Sequence, residues 1–150
     1  MQNAICFSTK FGWITATEQK NKITSIRFKK SSKQGKTSFL LNKLKSDINL
    51  FFKGETKLIN LPLKIEGSSI QKKVWNELRK IKKGKTKSYG EIARRFRLSP
   101  RYVGKICSQN QHILAIPCHR VIRSDGSLAG FSAMGGINLK KKLLEFEKNK

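Results

Sequence analysis

The sequence predicts a small α/β domain over residues 1–66, an antiparallel sheet plus a helix. A mostly helical domain over 67–150, carrying a helix-turn-helix, follows it. Three observations predict this. Three short runs rich in β-branched and aromatic residues open the chain, separated by polar turns. A stretch of helix-spaced apolar residues follows and closes on Gly54. Beyond Gly67-Ser68-Ser69, two serine-started helical patterns flank a tight turn.

Residues 4–8 (AICFS), 12–17 (GWITAT) and 23–28 (ITSIRF) read as three antiparallel strands, and 30–37 as a polar loop. From Ser38, apolar residues fall at Phe39, Leu40, Leu44, Ile48, Phe51 and Phe52, a helical stripe. Residues 57–65 look extended, with Pro62 arguing for an edge strand or connector. No chemistry is evident in this half, which reads as scaffold.

Either Ser68 or Ser69 can cap the next helix. Ile70, Val74, Trp75, Leu78 and Ile81 mark its apolar face, Lys72, Arg79, Lys80 and Lys83 the opposite one, and Gly84 is its expected end. Ser88 with Glu91 forms a capping box ahead of Tyr89, Ile92, Ala93 and Phe96. Arg97-Leu98 is the turn, Ser99 the second cap, and Pro100 sits at the first helical position. The spacing turns Tyr102, Val103, Ile106 and Cys107 inward, and Arg101, Lys105 and Ser108 or Gln109 outward. Gly104 leaves room for a partner's backbone. Residues 123–127 form a turn with Phe131 just beyond. A last helix is expected from Asn138, with Leu139, Leu143, Leu144 and Phe146 inward.

The chain carries 33 basic and 9 acidic residues, net charge +24, which points to a polyanion partner. A lysine-biased genome would also raise the charge, but it would spread it evenly. Residues 1–66 hold 13 basic residues and 4 acidic; residues 72–105 alone hold 13 and 2. No long apolar run predicts a transmembrane helix, and the first residues lack the basic head and apolar run of a signal peptide. A cytosolic protein without membrane association is expected. Three cysteines with no CxxC spacing and two histidines give no disulfide framework and no metal site.

Ile116-Pro117-Cys118-His119-Arg120-Val121-Ile122 concentrates the chemistry. Thiolate is the nucleophilic form of cysteine, and nearby cations lower its pKa. Proline fixes φ and so sets the angle at which the thiol is presented. Taken alone, the string also fits a buried free cysteine beside a surface His-Arg pair.

The string PCHRV resembles the active site of the O6-alkylguanine-DNA alkyltransferases, the methylated-DNA–protein-cysteine methyltransferases. The resemblance runs from about Ile70 to Glu147. Ile70 to Thr86 is similar to the family's F-x-x-x-V-W-x-x-L-x-x-I-P-x-G-x-T helix, with Ile70 in place of the aromatic and Lys82 in place of the proline. Leu143-Leu144 with Glu147 fits its closing L-L-x-x-E pattern. The resemblance implies a ribonuclease-H-like first domain and a winged-helix-like second. It implies irreversible, single-turnover transfer of the alkyl group from O6-alkylguanine, and from O4-alkylthymine, to Cys118. In this reading His119 is the base, through a bridging water, and Glu147 its orienting anion. Tyr89 donates to the leaving base, and Asn110 is the hinge before the active-site turn, followed here by Gln111 where the family has proline. The implied partner is double-stranded DNA, bound through its minor groove with the damaged nucleotide flipped out. Arg101 is the implied finger that fills the gap. Gln71, Tyr89, Gly90, Gly104, Lys105 and Ser124 are the implied DNA contacts, and Cys107, Ile113, Val121 and Phe131 the pocket lining, Phe131 replacing a common tyrosine. No cofactor is implied, and a monomer associated with the nucleoid of a prokaryote is expected. Two alternatives stand beside this: a non-catalytic helix-turn-helix sensor of alkylated DNA, and a cysteine hydrolase on Cys118 and His119.

Overall fold

The structure, a computed structural model, describes residues 2–31, 35–128 and 136–149. By backbone contacts the chain forms two compact units, Met1–Ile65 with Gln111–Ala115, and Glu66–Asn110 with Ile116–Lys150.

The first unit holds β1 (Asn3–Thr9), β2 (Gly12–Gln19), β3 (Lys22–Arg27) and α1 (Phe39–Phe52). The strands form an antiparallel sheet in the order β1-β2-β3. Lys20 and Asn21 both take positive φ, 52° and 61°, the two-residue hairpin geometry that matches strand twist. Ser38 caps α1 by accepting from the Leu41 amide. The helix stripe Leu40, Leu41, Leu44, Ile48, Phe51 and Phe52 is buried together with Phe7, Ile14, Ala16, Ile23 and Ile26. Residues 57–65 contribute one parallel bridge, Ile23 to Leu63, so Pro62 lies in a connector. The stretch 111–115 also joins this unit: the Ile26 amide donates to the Gln111 carbonyl, and the Ile113 amide to Ile26. Nothing in the apolar run 113–116 signalled that pairing, because short apolar stretches carry no partner information.

The second unit holds α2 (Ser69–Leu78), β4 (Lys87–Ser88), α3 (Tyr89–Phe96), α4 (Pro100–Ser108), a 3-10 turn (Cys118–Arg120), β5 (Val121–Ile122) and α5 (Gly136–Asn149). Ser68, not Ser69, caps α2, and Gln71 completes a capping box. The helix ends at Leu78 and does not reach Gly84. Lys80 and Ile81 instead donate to carbonyls three residues back, and the freed Ile81 carbonyl accepts from Arg120. Ser88 and Glu91 form the expected box, and Arg97, at φ 56° and ψ 45°, closes α3 in the left-handed region. Ser99 accepts from the Tyr102 amide, with Pro100 in the first turn of α4. The expectation that Tyr102 faces inward is overturned, since it is 40% exposed. The buried face of α4 centres on Val103, Ile106 and Cys107, and Tyr102 falls on its flank. Trp75 of α2 donates its indole N–H to the Ile106 carbonyl at 3.1 Å, tying α2 to α4. A two-residue parallel pairing of β4 with β5 sets Lys87 beside Val121 and Ser88 beside Ile122. The last helix starts at Gly136, two residues before Asn138, and Leu144 is half-buried.

Candidate active site

Backbone geometry presents the thiol. Pro117, at φ −80° and ψ 66°, sits at the centre of an inverse γ-turn closed by the Cys118 amide on the Ile116 carbonyl at 2.8 Å. The chain then tightens into the 3-10 turn, where the Arg120 amide donates to the Pro117 carbonyl at 3.0 Å. Cys118 and His119 therefore stand on a helical turn. Proline favours this because its ring holds φ where the turn needs it.

Cys118 is buried, 4% exposed. Asn110 lies at the end of α4, and its Nδ2 donates both to the Ile116 carbonyl at 2.8 Å and to Cys118 Sγ at 3.2 Å. One amide thus fixes the turn and solvates the sulfur. Burial pushes the thiol's pKa up; the Asn110 hydrogen bond and the charge of Lys140 oppose that.

His119 and Arg120 converge on Glu147, which α5 carries inward. His119 Nε2 is 2.8 Å from Glu147 Oε2. Arg120 makes a two-pronged pair with the same carboxylate, Nε to Oε1 and Nη2 to Oε2, each at 2.8 Å. Its Nη1 donates to the Ile81 carbonyl at 2.7 Å. Burial works to raise the Glu147 pKa, but hydrogen bonds and charge from His119 and Arg120 outweigh it and bring it to about 2. Burial holds His119 below its ordinary value, against the pull of Glu147. At neutral pH this is a neutral imidazole against an ionised carboxylate. Its Nε2 must then carry the proton, which leaves Nδ1 as the basic atom.

A second group gathers at Tyr89, the first residue of α3. Lys140 of α5 is 1% exposed, and its Nζ donates to the Tyr89 hydroxyl at 3.2 Å. Burial, with the nearby thiols Cys107 and Cys118, raises the Tyr89 pKa to about 12, so the phenol keeps its proton and acts as a donor. Burial lowers the pKa of Lys140, and the two thiols counter it. The chemistry available is therefore a sulfur nucleophile, a histidine base with its anion, and a phenol donor backed by an ammonium.

The other expected positions divide by location. Arg101, Lys105 and Ser108 are exposed on α4. A side chain at Gly104 would meet the Tyr89 ring at 3.8 Å, an ordinary contact. Gln71 donates to Gln109 at 2.7 Å while its carbonyl oxygen caps Ser68. A Cβ at Gly90 would lie 3.1 Å from Ser124 Oγ, so these two positions adjoin. Cys107 and Val121 are buried in the second unit, and Ile113 is buried in the first. Phe131 lies outside the described residues. Lys140 and the role of Arg120 escaped the sequence reading. Lys140 was findable, because Lys140, Leu143 and Glu147 follow the i, i+3, i+7 spacing of one helix face. No group of three or more metal-ligating side chains occurs among the described residues.

The domain family described as "6-O-methylguanine DNA methyltransferase, DNA binding domain" matches residues 69–149. A methylated-DNA–protein-cysteine methyltransferase of Metallosphaera sedula is 35% identical over 145 residues, 94% of this chain and 90% of that protein. One from Sulfolobus acidocaldarius is 45% identical over 97 residues, 65% of this chain and 61% of its own length. Among solved structures, that of Mycobacterium tuberculosis OGT in complex with DNA superposes with a TM-score of 0.88 at 30% identity. It covers 98% of this chain and 93% of that one.

Proposed function

Because this chain belongs to the methylated-DNA–protein-cysteine methyltransferase family, we propose that it repairs DNA by direct reversal, moving the alkyl group of O6-alkylguanine, and of O4-alkylthymine, onto Cys118. The observation that carries this reading is the buried thiol of Cys118, hydrogen-bonded by Asn110 on the same short turn that delivers His119 to Glu147. In the reaction His119 Nδ1 takes the thiol proton through a bridging water, and Glu147 stabilises the imidazolium that forms. The thiolate attacks the alkyl carbon. A C–S bond forms, the C–O6 bond breaks, and the electron pair goes to the guanine. Tyr89 protonates the departing base, and Lys140 resupplies the phenol. A thioether remains on Cys118. A thioether is a poor leaving group and burial raises the Cys107 thiol to about 12, so each molecule acts once.

The second unit, expected from the sequence over 67–150 and divided here by 111–115, which pack with the first unit, serves as the catalytic DNA-binding domain and is winged-helix-like. α3 and α4 are its helix-turn-helix, with α4 in the minor groove. Arg101 enters the stack where the damaged nucleotide leaves it. Gln71, Gly90, Gly104, Lys105 and Ser124 contact the duplex. Cys107 and Val121 line the base pocket. The first unit is a ribonuclease-H-like scaffold. The protein acts as a monomer in the cytoplasm, on the nucleoid; among the described residues no helix is long and apolar enough to cross a membrane.

A transfer assay on duplex DNA carrying labelled O6-methylguanine tests the reading. The wild-type chain takes up label, while Cys118→Ala binds the methylated duplex and takes up none. Uptake by Cys118→Ala would refute the assignment. A wild-type chain that binds without uptake would instead make the protein a sensor.

A further inference from the structure

Tyr102 has no part in the chemistry above, yet it is a large aromatic 40% exposed on α4. At about 100° per residue, Arg101, Lys105 and Ser108 share the outermost stripe of that helix, and Tyr102 and Gln109 fall within about 20° of each other on one flank. Gln109 is joined to Gln71 of α2 at 2.7 Å. The opposite flank is Gly104, set against the Tyr89 ring. An aromatic ring and its hydroxyl therefore border a basic stripe on the side toward α2.

Within residues 72–105 basic side chains far outnumber acidic ones. Residues 72–105 carry two carboxylates, Glu77 and Glu91. Glu77 is 7% exposed and pairs with Lys80 at 3.2 Å, Arg95 at 3.2 Å and Lys87 at 3.9 Å. Glu91 is turned back onto the Ser88 amide in its capping box. Neither balances Arg101 or Lys105. A partner that covers this stripe must be anionic, and it must also offer apolar surface to a tyrosine ring. A nucleic-acid duplex has both, in its phosphates and its deoxyribose walls.

We propose that Tyr102 is a duplex-contact residue, its ring lying on the sugar wall of the groove that α4 occupies and its hydroxyl donating to a phosphate. This rests on the function proposed above and adds an aromatic contact beside Arg101. Tyr102 supports binding of the duplex and leaves the thiol chemistry untouched.

The test compares wild type, Tyr102→Ala and Tyr102→Phe in two assays. One is affinity for unmodified and O6-methylguanine-containing duplex; the other is single-turnover reaction with free O6-alkylguanine base. Tyr102→Ala should lose about tenfold in duplex affinity, the scale of an aromatic contact with nucleic acid. Tyr102→Phe should lie between it and wild type, and the rate with free base should match wild type in both variants. Unchanged duplex affinity in Tyr102→Ala would overturn the proposal while leaving the repair function standing. An equal fall in duplex and free-base reaction would also overturn it, by making Tyr102 a packing residue. A wild-type chain that neither binds methylated duplex nor transfers would overturn both.

Discussion

At Glu147 one buried carboxylate receives three hydrogen bonds from two residues, His119 and Arg120. The arginine neutralises the charge, so the histidine can stay neutral and serve as a base. Replacing Glu147 by Gln removes the anion while keeping the shape. Glu147→Gln should slow alkyl transfer about 100-fold, the lower part of the range for general-base catalysis. Duplex affinity should stay within about twofold, because phosphate contacts set it. The same carboxylate ties stability to pH. Its folded pKa of about 2 lies below the ordinary 4.5, so its stabilisation is complete above 4.5 and is lost as pH falls toward 2. Chemical denaturation should therefore find wild type and Glu147→Gln well separated at neutral pH and converging between pH 4.5 and 2. A constant separation would mean the carboxylate is not held by ionic partners. Cys118 was legible as the candidate nucleophile because it sits in a distinctive string. The lysine behind Tyr89 is masked by its place among three consecutive lysines, and only the spacing it shares with Leu143 and Glu147 marks it as inward.

The elements were legible where local chemistry decides them. Ser88 and Ser99 both accept from the expected amide, because an N-cap depends only on residues within one turn. Ser99→Ala should lower stability by about 1 kcal/mol, seen as a lower urea midpoint with unchanged slope. An unchanged midpoint would mean that packing of Val103 and Ile106 alone sets α4. Legibility failed where distant residues decide. α2 stops at Leu78, where Lys80 and Ile81 turn to carbonyls three residues back, and Arg120, far along the chain, donates to the Ile81 carbonyl. Residues 111–115 pair beside β3 for reasons that no local pattern carries.

At the scale of the molecule the charge of +24 was plain from composition, and its concentration over 72–105 pointed to the helical unit. Only the structure shows that Glu77 and Glu91 in that stretch are occupied internally. Binding to unmodified duplex should fall steeply with salt, about a thousandfold between 50 and 200 mM for six phosphate contacts. Nearly constant affinity across that range would leave the charge without a DNA surface to explain. Whether each molecule acts once is decided by its stoichiometry. The measurement is intact-protein and peptide mass spectrometry after titration with excess O6-methylguanine duplex. A plateau at one methyl group per chain is expected, carried on the peptide containing Cys118. Continued turnover beyond one equivalent, or a methyl group on Cys107 or Cys6 instead, would contradict it.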